Sequence, residues 1–142
     1  MYRLAYISLF LICKLGVAQQ PVSIHLTEKD GLPDKEFYGV DEDSKGFIWL
    51  AGNSGLSRYD GTDFKTYSHP EKRGISVFEL NIDLNDRVWC VNISGQVFYV
   101  EDEKMHLFAD LQKDLNGLLP DMKIINNDLI LTTYRTTHIF NT

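Results

Sequence analysis

The sequence predicts an all-β chain of β-propeller blades, each a four-stranded antiparallel meander, with two full blades and part of a third in an incomplete propeller. Three observations predict it. Apolar runs such as Phe47 to Ala51 are too short for helices and are bounded by Gly, Asn and Asp, which suits strands joined by tight turns. A spacing recurs: Trp49, Gly55 and Tyr59 reappear 40 residues later as Trp89, Gly95 and Tyr99. A period near 40 with about four strands per unit marks propeller arrays.

The chain begins with a basic residue, Arg3, an apolar stretch from Leu4 to Cys13, and small residues at Gly16 and Ala18 before the polar Gln19-Gln20. That pattern predicts a signal peptide over residues 1–18, cleaved between Ala18 and Gln19, and too short to span a bilayer permanently. Cys13 is not a lipid attachment site, because the bulky Leu11-Ile12 precede it. Removal of the leader leaves Cys90 alone, so no disulfide forms within the mature chain, and a small buried hydrophobe is its expected state.

Residues 19–37 hold a leading strand candidate, Val22 to Thr27, and a turn-rich link. Without a last blade to complete, that strand is expected to be either unpaired or attached to a neighbour other than its intended one, and less ordered than Phe47 to Ala51. The first blade occupies 38–68, with strands Tyr38 to Glu42, Phe47 to Ala51, Leu56 to Tyr59 and Phe64 to Tyr67. Its turns fall at Asp43 to Gly46, Asn53 to Gly55 and Asp60-Gly61, where Gly, Asn and Asp accept the left-handed backbone of tight hairpins. The second blade, 76–109, places strands at Val77 to Ile82, Arg87 to Asn92, Gln96 to Val100 and Met105 to Phe108. Residues 110–120 form a linker or short helix, and 121–142 supply Met122 to Asn126, Leu129 to Thr133 and His138 to Phe140 of a partial third blade.

Several function classes recede on composition. A net charge of −6, or −8 for a mature chain with 12 basic against 20 acidic residues, and no basic cluster argue against a nucleic-acid surface. The loop from Asp41 to Gly46 has acidic positions and a sixth-place glycine, but Lys45 and Gly52 stand where a calcium loop needs oxygen ligands. His25, His69, His106 and His138 are scattered outside metal-ligand or nucleophile–base spacings. The residues thus nominate no catalytic, cofactor-binding or metal-ligating set, and they leave ligand-binding residues unknown. Trp49 and Trp89 are expected to be wedges between adjacent sheets, with a sugar-stacking platform as the functional alternative.

The run Gly31-Leu32-Pro33, Asp43, Gly46, Ile48-Trp49, Gly55-Leu56 and Arg58-Tyr59-Asp60-Gly61, followed by Phe64 and Tyr67, resembles the repeat of two-component regulator propellers. The likeness is strong over 31–68 and looser over 76–108, where Asp86 stands in the place of Gly46 and Val100 in that of Asp60. It implies the periplasmic sensor region of a bacterial sensor or hybrid histidine kinase, of which this chain would be an amino-terminal fragment. The implied partner is an extracellular small molecule or oligosaccharide, taken by the complete propeller. The implied membrane link runs through downstream segments to an inner-membrane anchor, and the family leaves room for a homodimer. No ATP-binding glycine box or receiver aspartate set occurs in these residues, so kinase chemistry is expected elsewhere. Two rival expectations stand beside it: a secreted propeller lectin, and part of a propeller lyase or hydrolase.

Overall fold

A computed structural model describes residues 23–142. The leader, its Ala18–Gln19 junction and Val22 lie outside the described residues. Eleven strands form three antiparallel sheets. The first sheet is β1 (Phe37–Glu42), β2 (Ile48–Gly52), β3 (Gly55–Tyr59) and β4 (Phe64–Tyr67), in that spatial order. The second repeats the plan with β5 (Phe78–Ile82), β6 (Val88–Val91), β7 (Gln96–Glu101) and β8 (Lys104–Asp110). A short helix α1 (Gln112–Leu115) leads to the third sheet, β9 (Asp121–Ile125), β10 (Asp128–Thr132) and β11 (Thr137–Asn141). Each is a sequential meander, because connections of two to five residues bring consecutive strands back side by side.

The first strands β1, β5 and β9 approach one another across the two joints, so they are the inner strands of adjacent blades. Both β1 and β5 carry a bulge near their start, between Phe37 and Gly39 and between Phe78 and Asn81. At Gly39 a β-carbon would lie 2.8 Å from Leu80 Cβ, so glycine permits the close approach of β1 to β5. Tyr38 stacks on Phe78 across the same joint, with centroids 4.6 Å apart.

Strand β6 explains the layered core. All four of its residues are buried, and alternation sends Val88 and Cys90 into the first joint while Trp89 and Val91 enter the second. The first joint gathers Trp49, Ala51, Leu56 and Tyr67 against Val77, Phe98, Val100 and Met105. The second gathers Trp89, Val97, Leu111 and Leu115 against Met122, Leu129 and Leu131.

One expected strand does not form. Residues 23–27 make no ladder, and Ile24 is 78% exposed. Local bonding takes the place of a ladder. Thr27 caps a 3-10 turn over Glu28–Asp30: its hydroxyl accepts from Lys29 N–H, while Asp30 Oδ2 accepts from Thr27 N–H at 2.9 Å. Gly31 closes that turn at φ +89°.

Candidate functional site

The repeat residues first build a rigid turn-and-wedge unit. In the β1–β2 turn, Asp43 Oδ1 accepts from Lys45 and Phe47 N–H, both at 3.0 Å, and its Oδ2 accepts from the Trp49 indole at 2.8 Å. Asp83 does the same in the β5–β6 turn: Asn85 and Arg87 N–H donate at 2.9 Å, and the Trp89 indole donates at 2.9 Å. Gly46 and Asp86 then hold equivalent left-handed positions, φ +83° and +62°. Aspartate tolerates that conformation better than most side chains, and Asp86 uses its carboxylate to accept from Ser44 N–H at 3.1 Å and from the Ser44 hydroxyl across the joint. Trp49 and Trp89 are 3% and 0% exposed, which places both rings as wedges and removes the sugar-platform alternative for them.

Other repeat residues serve turns. Asp60 Oδ1 accepts from Thr62 N–H, the Thr62 hydroxyl and Asp63 N–H, which holds its carboxyl down at about 2, and Gly61 follows at φ +102°. Leu32 and Pro33 run beside the first blade, where Ser54 donates its hydroxyl to Pro33 O and its N–H to Asp34. Gly55 and Gly95 both have positive φ, +103° and +76°.

Tyr59 and Tyr99 do not occupy equivalent places, despite their shared spacing. Tyr59 pairs with Ile48 and stacks on Phe64, away from the first joint, whereas Tyr99 pairs with Trp89 and packs against its ring at a tilt in the second. The cause is turn length. The β2–β3 turn is Asn53-Ser54 between paired Gly52 and Gly55, while the β6–β7 loop runs from Asn92 to Gln96, closed by Asn92 N–H to Gln96 O at 3.0 Å. One extra residue slips the register and sends the following side chains to the opposite face.

Two polar sites flank the first joint. At the end carrying the β1–β2 and β7–β8 turns, a cavity of about 180 Å³ is lined by Asp43, Lys45, Trp49, Arg58, Asp86 and Glu103 among others. Glu103, in a hairpin turn where Asp102 and Glu103 have φ +48° and +62°, reaches from the second blade to three donors on the first. Lys65 Nζ donates at 2.6 Å, Arg58 pairs with the other oxygen, and Tyr67 Oη donates at 2.9 Å. These bonds hold the Glu103 carboxyl at about 2, while burial and then the Glu103 bond push the Tyr67 phenol up. A carboxylate so saturated is a latch between blades rather than a proton acceptor. Arg58 also lies over the Phe47 ring at 4.3 Å.

At the opposite end, the connection between blades is tied down by buried amides. Gln96 accepts from Arg73 N–H at 2.7 Å and donates to Glu71 O at 2.8 Å; Asn92 donates to Arg73 O at 2.9 Å. Arg73 forms a two-pronged pair with Asp110 at 2.6 and 2.8 Å. Beside this network is a second cavity, about 300 Å³, lined by Ser54, Thr66, Tyr67, Ser68, Lys72, Gly74 and Ile75. Asn92 is 1% exposed, and its amide serves the β6–β7 loop through Gln96. Burial pushes the Cys90 thiol up to about 12. Among the described residues, no group of three His, Cys, Asp or Glu side chains is placed to hold a metal ion.

Against known proteins, no family model matches the chain, and no curated protein matches it. Among solved structures, selenomethionine-substituted virginiamycin B lyase from Staphylococcus aureus matches 72% of this chain with a TM-score of 0.51 and 16% identity. That structure is a β-propeller. The present chain is built of β-propeller blades. It spans about 40% of the lyase chain, and at this identity the likeness concerns the fold alone.

Sequence reasoning missed the roles of Arg58, Glu103 and Gln96, whose partners lie 23 to 45 residues away along the chain, so no local spacing marks them; Lys72 was missed because its setting depends on the shape of the joint.

Proposed function

We propose that this chain is the amino-terminal part of the extracytoplasmic, ligand-sensing propeller of a two-component sensor protein. It supplies recognition surface or scaffold and carries no catalysis itself. The observation that supports this reading is the coincidence of the sequence repeat with the blades: the residues that resemble the two-component regulator propeller repeat build the Asp43–Trp49 unit, and Asp83–Trp89 reproduces it. In this reading the complete propeller takes an extracellular small molecule or oligosaccharide, the leader over 1–18 exports the chain, and downstream segments anchor it in the inner membrane. Reading the gene beyond codon 142 tests the proposal. Further blades, a membrane-spanning helix and kinase boxes are expected; a stop codon directly after a last blade would favour a secreted lectin or a lyase instead.

A further inference from the structure

The two joints are built alike except where the connecting segment meets the turn between second and third strands. After the second blade, residues 111–120 fold α1 over that place and bury Leu111 and Leu115 in the joint. A β-carbon at Gly95 would lie 3.0 Å from Gln112 N, so backbone fills the space. After the first blade, residues 68–76 fold no helix, and Ile75 points outward, 69% exposed. The space is left as the 300 Å³ cavity, and the atom nearest the Gly55 position is Lys72 Nζ, 3.2 Å from where a β-carbon would stand.

Lys72 is an uncompensated cation there. Its ammonium has three hydrogens, and the protein acceptor it meets is the Ile75 carbonyl. Among the described residues, no carboxylate lies within 4.0 Å of its nitrogen, whereas Arg58, Lys65, Arg73 and Arg87 are all paired. Burial holds Lys72 below the usual lysine range. A half-buried charge without a counterion is unfavourable, and a bound anion is one means of compensating it. Among the wall hydroxyls, Ser54 already donates to Pro33 O and Thr66 is bonded to Ser57, so Ser68 is the hydroxyl left to meet a ligand oxygen.

We infer that the cavity between the first and second blades is a binding site for a small oxyanion, with the Lys72 ammonium as its charge partner and the Ser68 hydroxyl as a supporting donor. The chemistry is that of a carboxylate or sulfate, carried by an acidic sugar or free in solution. A volume of about 300 Å³ takes a single monosaccharide-sized group and no chain of them. The site stands on the geometry of the joint and does not depend on the signalling role proposed above.

The test is titration of the full chain with glucuronate, with inorganic sulfate and with glucose, following the lysine Nζ resonances after reductive ¹³C-methylation. Lys72→Arg assigns the Lys72 signal. Glucuronate or sulfate should shift that signal saturably, and glucose should not. Tighter saturation by glucuronate than by sulfate identifies a sugar acid as the ligand class; the reverse order identifies a free inorganic oxyanion. Lys72→Met should weaken anion binding at least tenfold, while Lys104→Met should leave it unchanged. The inference is overturned if neither anion moves the Lys72 signal, if glucose moves it equally, or if a folded Lys72→Met chain binds as before. If Lys72→Met does not fold, the unsubstituted chain still decides through the anion-against-glucose comparison.

Discussion

Replacing Trp89 by alanine probes the joint where it carries most. The ring is wholly buried between the second and third blades, tilted against Tyr99 and edge-on to Phe108 at 5.0 Å each. Burying such a side chain contributes about 2 to 3 kcal/mol, and the cavity left behind raises the cost of truncation to about 3 to 5 kcal/mol. Trp89→Phe separates packing from hydrogen bonding. Asp83 Oδ2 would keep the Arg87 Nε–H bond at 2.7 Å, so no acceptor is orphaned and the expected cost is about 1 to 2 kcal/mol. Trp49→Ala should match Trp89→Ala, because both rings hold the same place in successive blades. Urea unfolding followed by circular dichroism measures all three, independently of the indole fluorescence the substitutions remove. A Trp89→Ala cost below about 1 kcal/mol would refute the wedge role and with it the equivalence of the joints.

Other expectations concern the latch, the buried amides and the leader. The Glu103 carboxyl is depressed from the ordinary 4.5 to about 2, so its stabilising contribution is present above 4.5 and is lost as pH falls from there through 2. Half exposure of the side chain limits the effect to under about 1 kcal/mol, and Glu103→Gln should flatten that part of the acid limb in pH-dependent melting. Gln96→Leu should cost about 1 to 3 kcal/mol in urea unfolding, because Arg73 N–H and Glu71 O lose their partner in a buried place. If the expected leader over 1–18 exports the chain, amino-terminal sequencing of the mature protein should begin at Gln19; a mature protein that retains Met1 would contradict that expectation.

What the sequence made legible is what repeats at short range. Asp43 and Trp49 lie six residues apart, as do Asp83 and Trp89, and a turn followed by a strand brings each pair together without help from elsewhere. The Tyr59–Tyr99 match misled, since one residue more in the β6–β7 loop sends the second ring to the other face. Glu103 was invisible because its donors Arg58, Lys65 and Tyr67 stand 45, 38 and 36 residues away and converge only once two sheets stack. Lys72 could not be singled out either, because its environment is set by what the connecting segment fails to fill. Val22 to Thr27 is a strand candidate in the sequence, but a strand requires a partner edge, and Thr27 and Asp30 satisfy their groups locally instead.

Amide hydrogen exchange across the chain tests the blade account most directly. The middle strands β2 and β6, paired on both sides, should open only with extensive unfolding, and Ile48 and Leu50 should be strongly protected. The amides of Ile24 and Leu26, in the extended segment without a ladder, should exchange orders of magnitude faster. That contrast is the predicted result. Equal protection of Ile24 and Ile48 would show that the leading segment is built into a sheet, and the arrangement of open, successive blades described above would be wrong.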